Sequence, residues 1–532
     1  MTKQYGFNVG LPESGGTRVE MRSRTDGASL GSRHPSHVVR RTDDAHDGTK
    51  RGGDGRAERL VVVSNRVPVP SRRGASAGAG GLAVALEAAL KEHGGIWFGW
   101  SGDARPAIDA DALQEHQAGR ITFAVTDLTK RDVDDYYLGF SNRALWPICH
   151  YRLDLAHFSE RETAAYFRVN SLFARKLIRM IEPGDLVWVH DYHMIPMGAE
   201  LRSLGFGGRL GFFLHIPWPP PEIASALPEY RRLLTALTAY DLVGFQTPRD
   251  AENFGRCLEE DGVATSLGEG RFEADGRQFR AHAFPIGIDT QAFRDAAVKS
   301  EKTPAVQRLV SNLASQKLVI GVDRLDYSKG IEERIRSFCS YLGAHPEDLG
   351  RVTLLQVTPK SRSDVPEYKQ IQREVAARVG DANGAYGTVD WTPIRYLNQN
   401  IPHGTLAGLY RAARVGLITP LRDGMNLVAK EYVASQSEDN PGVLVLSRYA
   451  GAAFELGGAL VVNPYDPVAA GEAIARALVM PLDERRERWR AMMEHLEAHT
   501  VGDWWRGFLE SLSRQAPGAT AESAPRSVAA RI

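Results

Sequence analysis

Two cations five residues apart, Arg324 and Lys329, sit in a short loop between an apolar run, Leu318 to Val322, and a helical pattern opening at Ile331. A charge in such a place is costly to bury unless it is paired. The pair reads either as surface salt bridges or as an anion site. The strand-to-helix position favours the anion, because arginine grips phosphate bidentately and lysine adds a mobile point charge. A second segment, Asp423-Gly424-Met425-Asn426-Leu427, runs into a helical pattern that carries Glu431. The N–H groups at a helix start attract anions, aided by a macrodipole contribution of roughly 0.3–2 kcal/mol. Gly424 is expected to permit a tight turn. A carboxylate here competes with phosphate, so Asp423 either caps the helix or grips sugar hydroxyls. Glu431, two turns along, is placed to accept from ribose hydroxyls.

The string His190-Asp191-Tyr192-His193 offers three metal-ligand types, yet no further spacing completes a recognisable site. It reads as a polar loop or a set of sugar contacts, and no metal is expected. His215, ahead of Ile-Pro-Trp-Pro, reads the same way. Arg66, Tyr136, Tyr137, Trp146 and Arg362 suit a phosphorylated sugar, with aromatic faces for the ring and guanidinium groups for a monoester phosphate. Each reads equally as a core aromatic or a solvated arginine, and spacing alone does not bring them together.

The elements that must position these residues are legible as short apolar runs that end in polar ones. Arg59 to Arg66 is a buried parallel strand, followed by a Gly/Ala/Ser stretch and a helix from Gly80-Gly81-Leu82. Leu186 to Val189 feeds His190, Leu210 to Leu214 feeds His215, and Leu242 to Phe245 is a further strand. After Phe284-Pro-Ile-Gly-Ile-Asp289, which reads as a linker, a second series begins. Leu318–Val322 feeds Arg324 and Lys329, Val352–Val357 feeds Arg362, Val415–Thr419 feeds Asp423, and Val443–Leu446 feeds Ser447. Polar residues past the carboxyl ends of parallel strands mark the ligand edge of an open α/β sheet. The expected fold class is α/β, with two Rossmann-like domains whose parallel sheets face a central cleft.

The 532 residues suffice for two domains and tails, and 43% hydrophobic with 24% charged residues is a globular balance. Lys+Arg and Asp+Glu are equal at 65 each, so no global field draws nucleic acid or an anionic membrane. Three scattered cysteines, without a C-x-x-C, suit a reducing cytosol. No apolar run approaches the roughly 18 residues of a membrane span. Residues 1–57 lack apolar periodicity and read as a disordered tail, as do residues 513–532. Between them the expected division is 58–286, 287–480, and a helical segment 481–512 that packs back on the first domain. Too little chain follows the last cleft motif for a phosphatase domain.

Taken together, Val63-Ser-Asn-Arg66, Gly80-Gly81-Leu82, Trp97 to Gly102, Tyr136-Tyr137 to Trp146, His190 to His193, His215-Ile-Pro217, Arg324 to Gly330 and Asp423 to Glu431 resemble the trehalose-6-phosphate synthases. These are retaining glycosyltransferases of family 20 with the GT-B fold, and the resemblance spans about residues 59 to 512. It implies UDP-glucose and glucose 6-phosphate as substrates, α,α-trehalose 6-phosphate and UDP as products, no cofactor, a cytoplasmic enzyme and a homo-oligomer. Residue by residue, it implies Arg324 and Lys329 at the diphosphate, Gly81 near the donor phosphates, and Asp423 to Leu427 at donor glucose and phosphate. It further implies Glu431 at the ribose and His215 at the donor sugar. Arg66, Tyr137, Trp146 and Arg362 match the acceptor pocket, and Asp191 lies between the two sugars. The Ser76–Gly80 loop and Trp218, where Phe is common, depart from the family pattern. Another phosphorylated acceptor such as glycerol 3-phosphate is the alternative, and a non-catalytic sugar-phosphate sensor is a second.

Overall fold

The computed structural model describes residues 58–70, 81–109, 111–313, 316–359 and 366–515. Arg362 and residues 1–57 and 516–532 lie outside that set. The apolar β-branched runs pair into two sheets. The first contains β1 (Leu60–Arg66), β2 (Gly95–Arg105), β3 (Gln114–Ala118), β4 (Ile121–Thr129), β5 (Leu186–His190), β6 (Arg209–Phe213), β7 (Leu242–Phe245), β8 (Thr265–Gly268), β9 (Arg271–Ala274) and β10 (Arg277–Ala283). Its order is β3-β4-β2-β1-β5-β6-β7-β10-β9-β8. The strands from β4 through to β10 pair in parallel, and β3, β9 and β8 add antiparallel edges. The second sheet, β11 (Lys317–Val322), β12 (Val352–Val357), β13 (Ile394–Leu397), β14 (Val415–Ile418), β15 (Val443–Ser447) and β16 (Leu460–Val462), is wholly parallel in the order β13-β12-β11-β14-β15-β16. This is the α/β class with two parallel-sheet halves that the sequence pattern predicts.

Alternation along β1 sorts its side chains to two cores. Val61 and Val63 join the core on one face, while Leu60 and Val62 join an apolar cluster that continues into the second half. That shared cluster is closed by the last two helices, Leu482–Ala498 and Val501–Ser513. The first holds the second half, where Trp489 Nε1 donates to Val433 O at 3.0 Å. The second lies on the first sheet: the Phe508 ring stacks on Trp188 at 4.6 Å, with Trp504 5.1 Å from the same indole.

The chain thus passes between the halves twice, and the two crossings touch. Val501 N–H donates to Ile288 O, and a Cβ on Gly287 would lie 2.3 Å from His499 O. Only glycine allows backbones that close. Ile286 splits its peptide groups between the halves. Its N–H donates to Gln246 Oε1 at 3.1 Å, and its carbonyl accepts from buried Lys430 Nζ at 2.7 Å.

Candidate functional site

Strand β11 ends at Val322, and the loop that follows is held from beneath by a buried ion pair. Arg334, fully buried on the Ile331–Ala344 helix, donates to Asp323 at 2.6 Å and to Thr419 and Gln356 at 3.2 Å each. Burial pushes the Asp323 carboxyl up, and the Arg334 guanidinium opposes that. A buried pair of this kind fixes geometry more than it adds stability. Above it, Arg324 is exposed and Lys329 is 8% exposed. Lys329 Nζ meets Asp423 Oδ2 at 2.5 Å, and Asn426 Nδ2 donates to the same oxygen at 3.0 Å. The lysine that the sequence assigns to an anion is therefore held ready by the acid it was read alongside.

Asn426, at φ 73°, caps the Leu427–Ser435 helix, its Oδ1 accepting from Ala429 N–H at 3.2 Å. The cap is thus Asn426, and Asp423 is left to the lysine. Met425 is core, 4% exposed. Gly424 lies at a bend, as expected, but the need for glycine there is not torsional. Its φ is not left-handed, and a Cβ there would lie 2.2 Å from His215 O. The glycine is needed for clearance, because here the two halves meet backbone to backbone. Glu431, on the same helix, is 8% exposed, and burial pushes its carboxyl up to about 7.

Across that seam, His215 and Asp191 follow β6 and β5. Asp191 takes φ 75°, a conformation that strains a non-glycine residue by about 1–3 kcal/mol and is found mostly at functional sites. Its Oδ1 accepts from His215 N–H at 3.3 Å. The His215 ring is fixed by its neighbours. Gln246 Oε1 is committed to the Ile286 amide, so Gln246 Nε2 donates to His215 Nδ1 at 3.3 Å. His215 therefore carries its proton on Nε2 and donates to His190 Nδ1 at 3.1 Å, a tautomer assigned from the network. Burial pushes His215 down to about 3, and burial then His215 push His190 well below its usual range, so both rings are neutral. Neither Gln246 nor Arg334 was singled out in the sequence. Gln246 carried the signal that marked His190 and His215, a polar residue just past an apolar strand.

The aromatic residues fall in different surroundings. Tyr137 lies on the wide helical segment Val133–Leu145, kinked at Gly139, and its ring faces His193 at 5.6 Å and Trp100 at 5.7 Å. Tyr136 points into the core and donates to Asn65 Oδ1 at 2.8 Å, so it is structural. Trp146 is 4% exposed, stacks on His150 at 4.1 Å, and has the Arg324 guanidinium 6.0 Å from its ring. That contact joins a cation of the second half to an aromatic of the first. Arg66 ends β1, exposed and resting against Gly102. Gly81 opens the Gly81–His93 helix. Among the described residues no group of three or more His, Cys, Asp or Glu is placed to hold a metal ion, and no helix is long and apolar enough to cross a membrane.

The family model for glycosyltransferase family 20 matches residues 58–514. A trehalose-6-phosphate synthase of Sinorhizobium fredii is 55% identical over 456 residues, covering 86% of this chain and 98% of that one. A solved UDP-forming α,α-trehalose-phosphate synthase from Burkholderia xenovorans in complex with glucose-6-phosphate is 45% identical, with a TM-score of 0.82 over 86% of this chain and all of that one. The corresponding protein from E. coli, solved bound with UDP-2-fluoro glucose, is 44% identical at a TM-score of 0.82, with 86% and 100% covered.

Proposed function

The chain belongs to glycosyltransferase family 20, and we infer on that premise that it transfers glucose from UDP-glucose to glucose 6-phosphate with retention, giving α,α-trehalose 6-phosphate and UDP. The observation that carries this reading is the seam at Gly424. There the Lys329–Asp423–Asn426 unit of one half abuts the Asp191–His215 pair of the other.

In the proposed reaction Arg324, Lys329 and the helix start at Leu427 hold the diphosphate, with Gly81 beside it. Glu431 takes the ribose, and Asp423 to Leu427 take the donor glucose. A sugar hydroxyl reaching His215 shares its Nε2–H with His190. Arg66, Tyr137, Trp146 and Arg362 form the acceptor pocket, with Asp191 between the two sugars. The bond from glucose C1 to the diphosphate oxygen breaks with its electron pair going to UDP. The acceptor hydroxyl oxygen bonds C1 from the same face, and its proton passes to the departing phosphate oxygen. The protein stabilises the charge growing on that oxygen and holds the sugars at attack distance. A double displacement through a carboxylate is the rival route, and a trapped glycosyl-enzyme seen by mass spectrometry would establish it. No cofactor takes part in the proposed step.

The same proposal divides the chain into an acceptor half, 58–286, and a donor half, 287–480; of the segment 481–512 expected to return to the first half, only the helix from Val501 does so, while Leu482–Ala498 packs on the second. The seating of Phe508 and Trp504 on Trp188 supports that division. A cytoplasmic site of action is supported by three cysteines that form no disulfide. A homo-oligomer is part of the proposal by family membership, and light scattering in solution tests it. The reaction itself is tested by pairing UDP-, ADP- and GDP-glucose with glucose 6-phosphate or glycerol 3-phosphate and weighing the products. Product from glycerol 3-phosphate alone would overturn the reading.

Two expected outcomes belong here. Gln246→Leu removes both the donor that sets the His215 tautomer and the acceptor of the Ile286 N–H; the first loss, about 1.4 kcal/mol, is a roughly tenfold fall in kcat, and the second lowers the melting temperature. The KM for glucose 6-phosphate should stay within about twofold, and imidazole nitrogen shifts should show mixed tautomers. Glu431 gives the pH dependence. Its raised value means the ligand-free fold prefers the protonated form, so stability is lost as pH rises from the ordinary glutamate range through about 7. UDP binding needs the carboxylate as acceptor and so should tighten over the same rise. Calorimetry from pH 6 to 8 checks this against Glu431→Gln, whose profile should lack the step.

A further inference from the structure

Beside the seam lies a second pocket that the reaction does not use. It encloses about 630 Å³ and is lined by Arg249, Arg448, Tyr449 and Phe454. A smaller recess that shares those residues adds Arg422 and, of the proposed donor and acceptor residues, only Asp423. Arg249 of the first half and Arg448 of the second, both exposed, line the pocket and the recess alike, while Arg422 lines only the recess, whose free volume is about 10 Å³. Among the described residues none of the three forms an ion pair or a side-chain hydrogen bond. Arg249 and Arg448 lie over Phe454 and Tyr449 at 5.2 and 5.9 Å. Arg422 is the telling member. It is 9% exposed, with its charge 4.2 Å from the Tyr151 ring. A cation so far out of water ordinarily has an anion beside it.

The nearby carboxylates make no direct ion pair with Arg422: it acts on Asp250 only at longer range, and the direct partners of both acids are other groups. Asp250 accepts from the Thr247 hydroxyl at 2.6 Å and from Trp218 N–H at 3.1 Å, and Asp423 holds Lys329. We propose that this pocket is a second anion site, one that takes a compact phosphate-bearing ligand between Arg249 and Arg448, with the charge of Arg422 behind them. Arginines so placed match phosphate oxygens by charge-assisted, bidentate bonds.

The pocket adjoins the donor loop through the backbone. Asp423 N–H donates to Tyr449 O at 3.1 Å, and Gly451 N–H donates to Asp423 O at 3.3 Å. An anion there relieves repulsion between cations of the two halves and so favours the arrangement in which they meet. The donor substrate favours the same arrangement. By linkage each ligand tightens the other by one common factor.

The test uses the full chain saturated with UDP, which fills the donor diphosphate position and leaves the acceptor phosphate position free. Calorimetric titration with inorganic phosphate or with ribose 5-phosphate, against sodium chloride of equal ionic strength, should show two equivalents bound, one at the acceptor position and one further equivalent at this pocket. Tighter binding of ribose 5-phosphate identifies a phosphomonoester as the ligand class, and equal binding identifies free phosphate. In the double variant Arg249→Ser, Arg448→Ser the affinity should fall at least about tenfold. Turnover without added anion should stay within about twofold, which also reports an intact fold. In the parent chain the anion should lower the KM for UDP-glucose about fivefold, and in the variant it should not. Absence of the extra equivalent from the parent chain, or its undiminished presence in the variant, overturns the proposal. The titration reads binding alone, so its failure is distinct from failure of the proposed reaction.

Discussion

Lys329→Ala should lower kcat by about 10²–10³, the loss of roughly 2.7–4 kcal/mol that follows removal of one preorganised donor from a developing oxyanion. The physical reason lies in the Lys329–Asp423 contact. A lysine on a mobile loop would spend part of its interaction energy on being ordered when the donor binds. Here Asp423 orders it beforehand, and Asp326 anchors the short turn that bears it, accepting from Ser328 N–H at 2.9 Å. The substitution leaves Asp423 with the Asn426 amide, so the fold should persist, and circular dichroism with an unchanged melting profile checks that. Lys329→Arg should recover little, because the longer planar fork cannot sit where a 2.5 Å contact is already made. Near-parental turnover in the alanine variant would remove Lys329 from the leaving-group site. The KM for glucose 6-phosphate should move far less than kcat, since the acceptor pocket is built from other elements.

Gly424→Ala should be almost as damaging although it removes no chemical group. The added methyl would lie 2.2 Å from the His215 carbonyl oxygen and 3.0 Å from its carbon, and neither atom belongs to a side chain that can swing aside. Relief must come from parting the halves by about an ångström, and a misplacement of that size costs on the order of 10²-fold in rate. The local overpacking itself costs about 1–3 kcal/mol. Both kcat and the KM for UDP-glucose should suffer, in contrast to the Lys329 variant. A rate within a few-fold of the parent would show that the halves do not need this contact during turnover.

The sequence made the catalytic edge visible because apolar strands that stop at polar residues are a one-dimensional signal. His190, His215, Arg324 and Asp423 were all found that way, and both parallel sheets with them. Gln246 follows β7 by the same rule and was passed over because a single amide suggests no chemistry until its two partners are seen. Arg334 was illegible for another reason: on a helix of mixed character it looks solvated, and only the fold brings Asp323 beneath the loop to meet it. The bend at Gly424 is legible but its reason is not, since a sequence does not tell a glycine needed for its torsion from one needed for its lack of a side chain. Edge strand β3, Gln-Glu-His-Gln-Ala, is illegible because it is exposed at every residue and has no apolar face to announce it.

The double passage of the chain at Gly287 and His499 bears on how such proteins can be recombined. The first half is not a continuous stretch of sequence, because its sheet is capped by a helix encoded some two hundred residues later. A chimaera that swaps only 58–286 between relatives would set Trp188 and Phe213 against a foreign Phe508 and Trp504. Acceptor preference should therefore transplant cleanly only when the closing helix travels with the segment that precedes the linker, as two exchanged pieces moved as one.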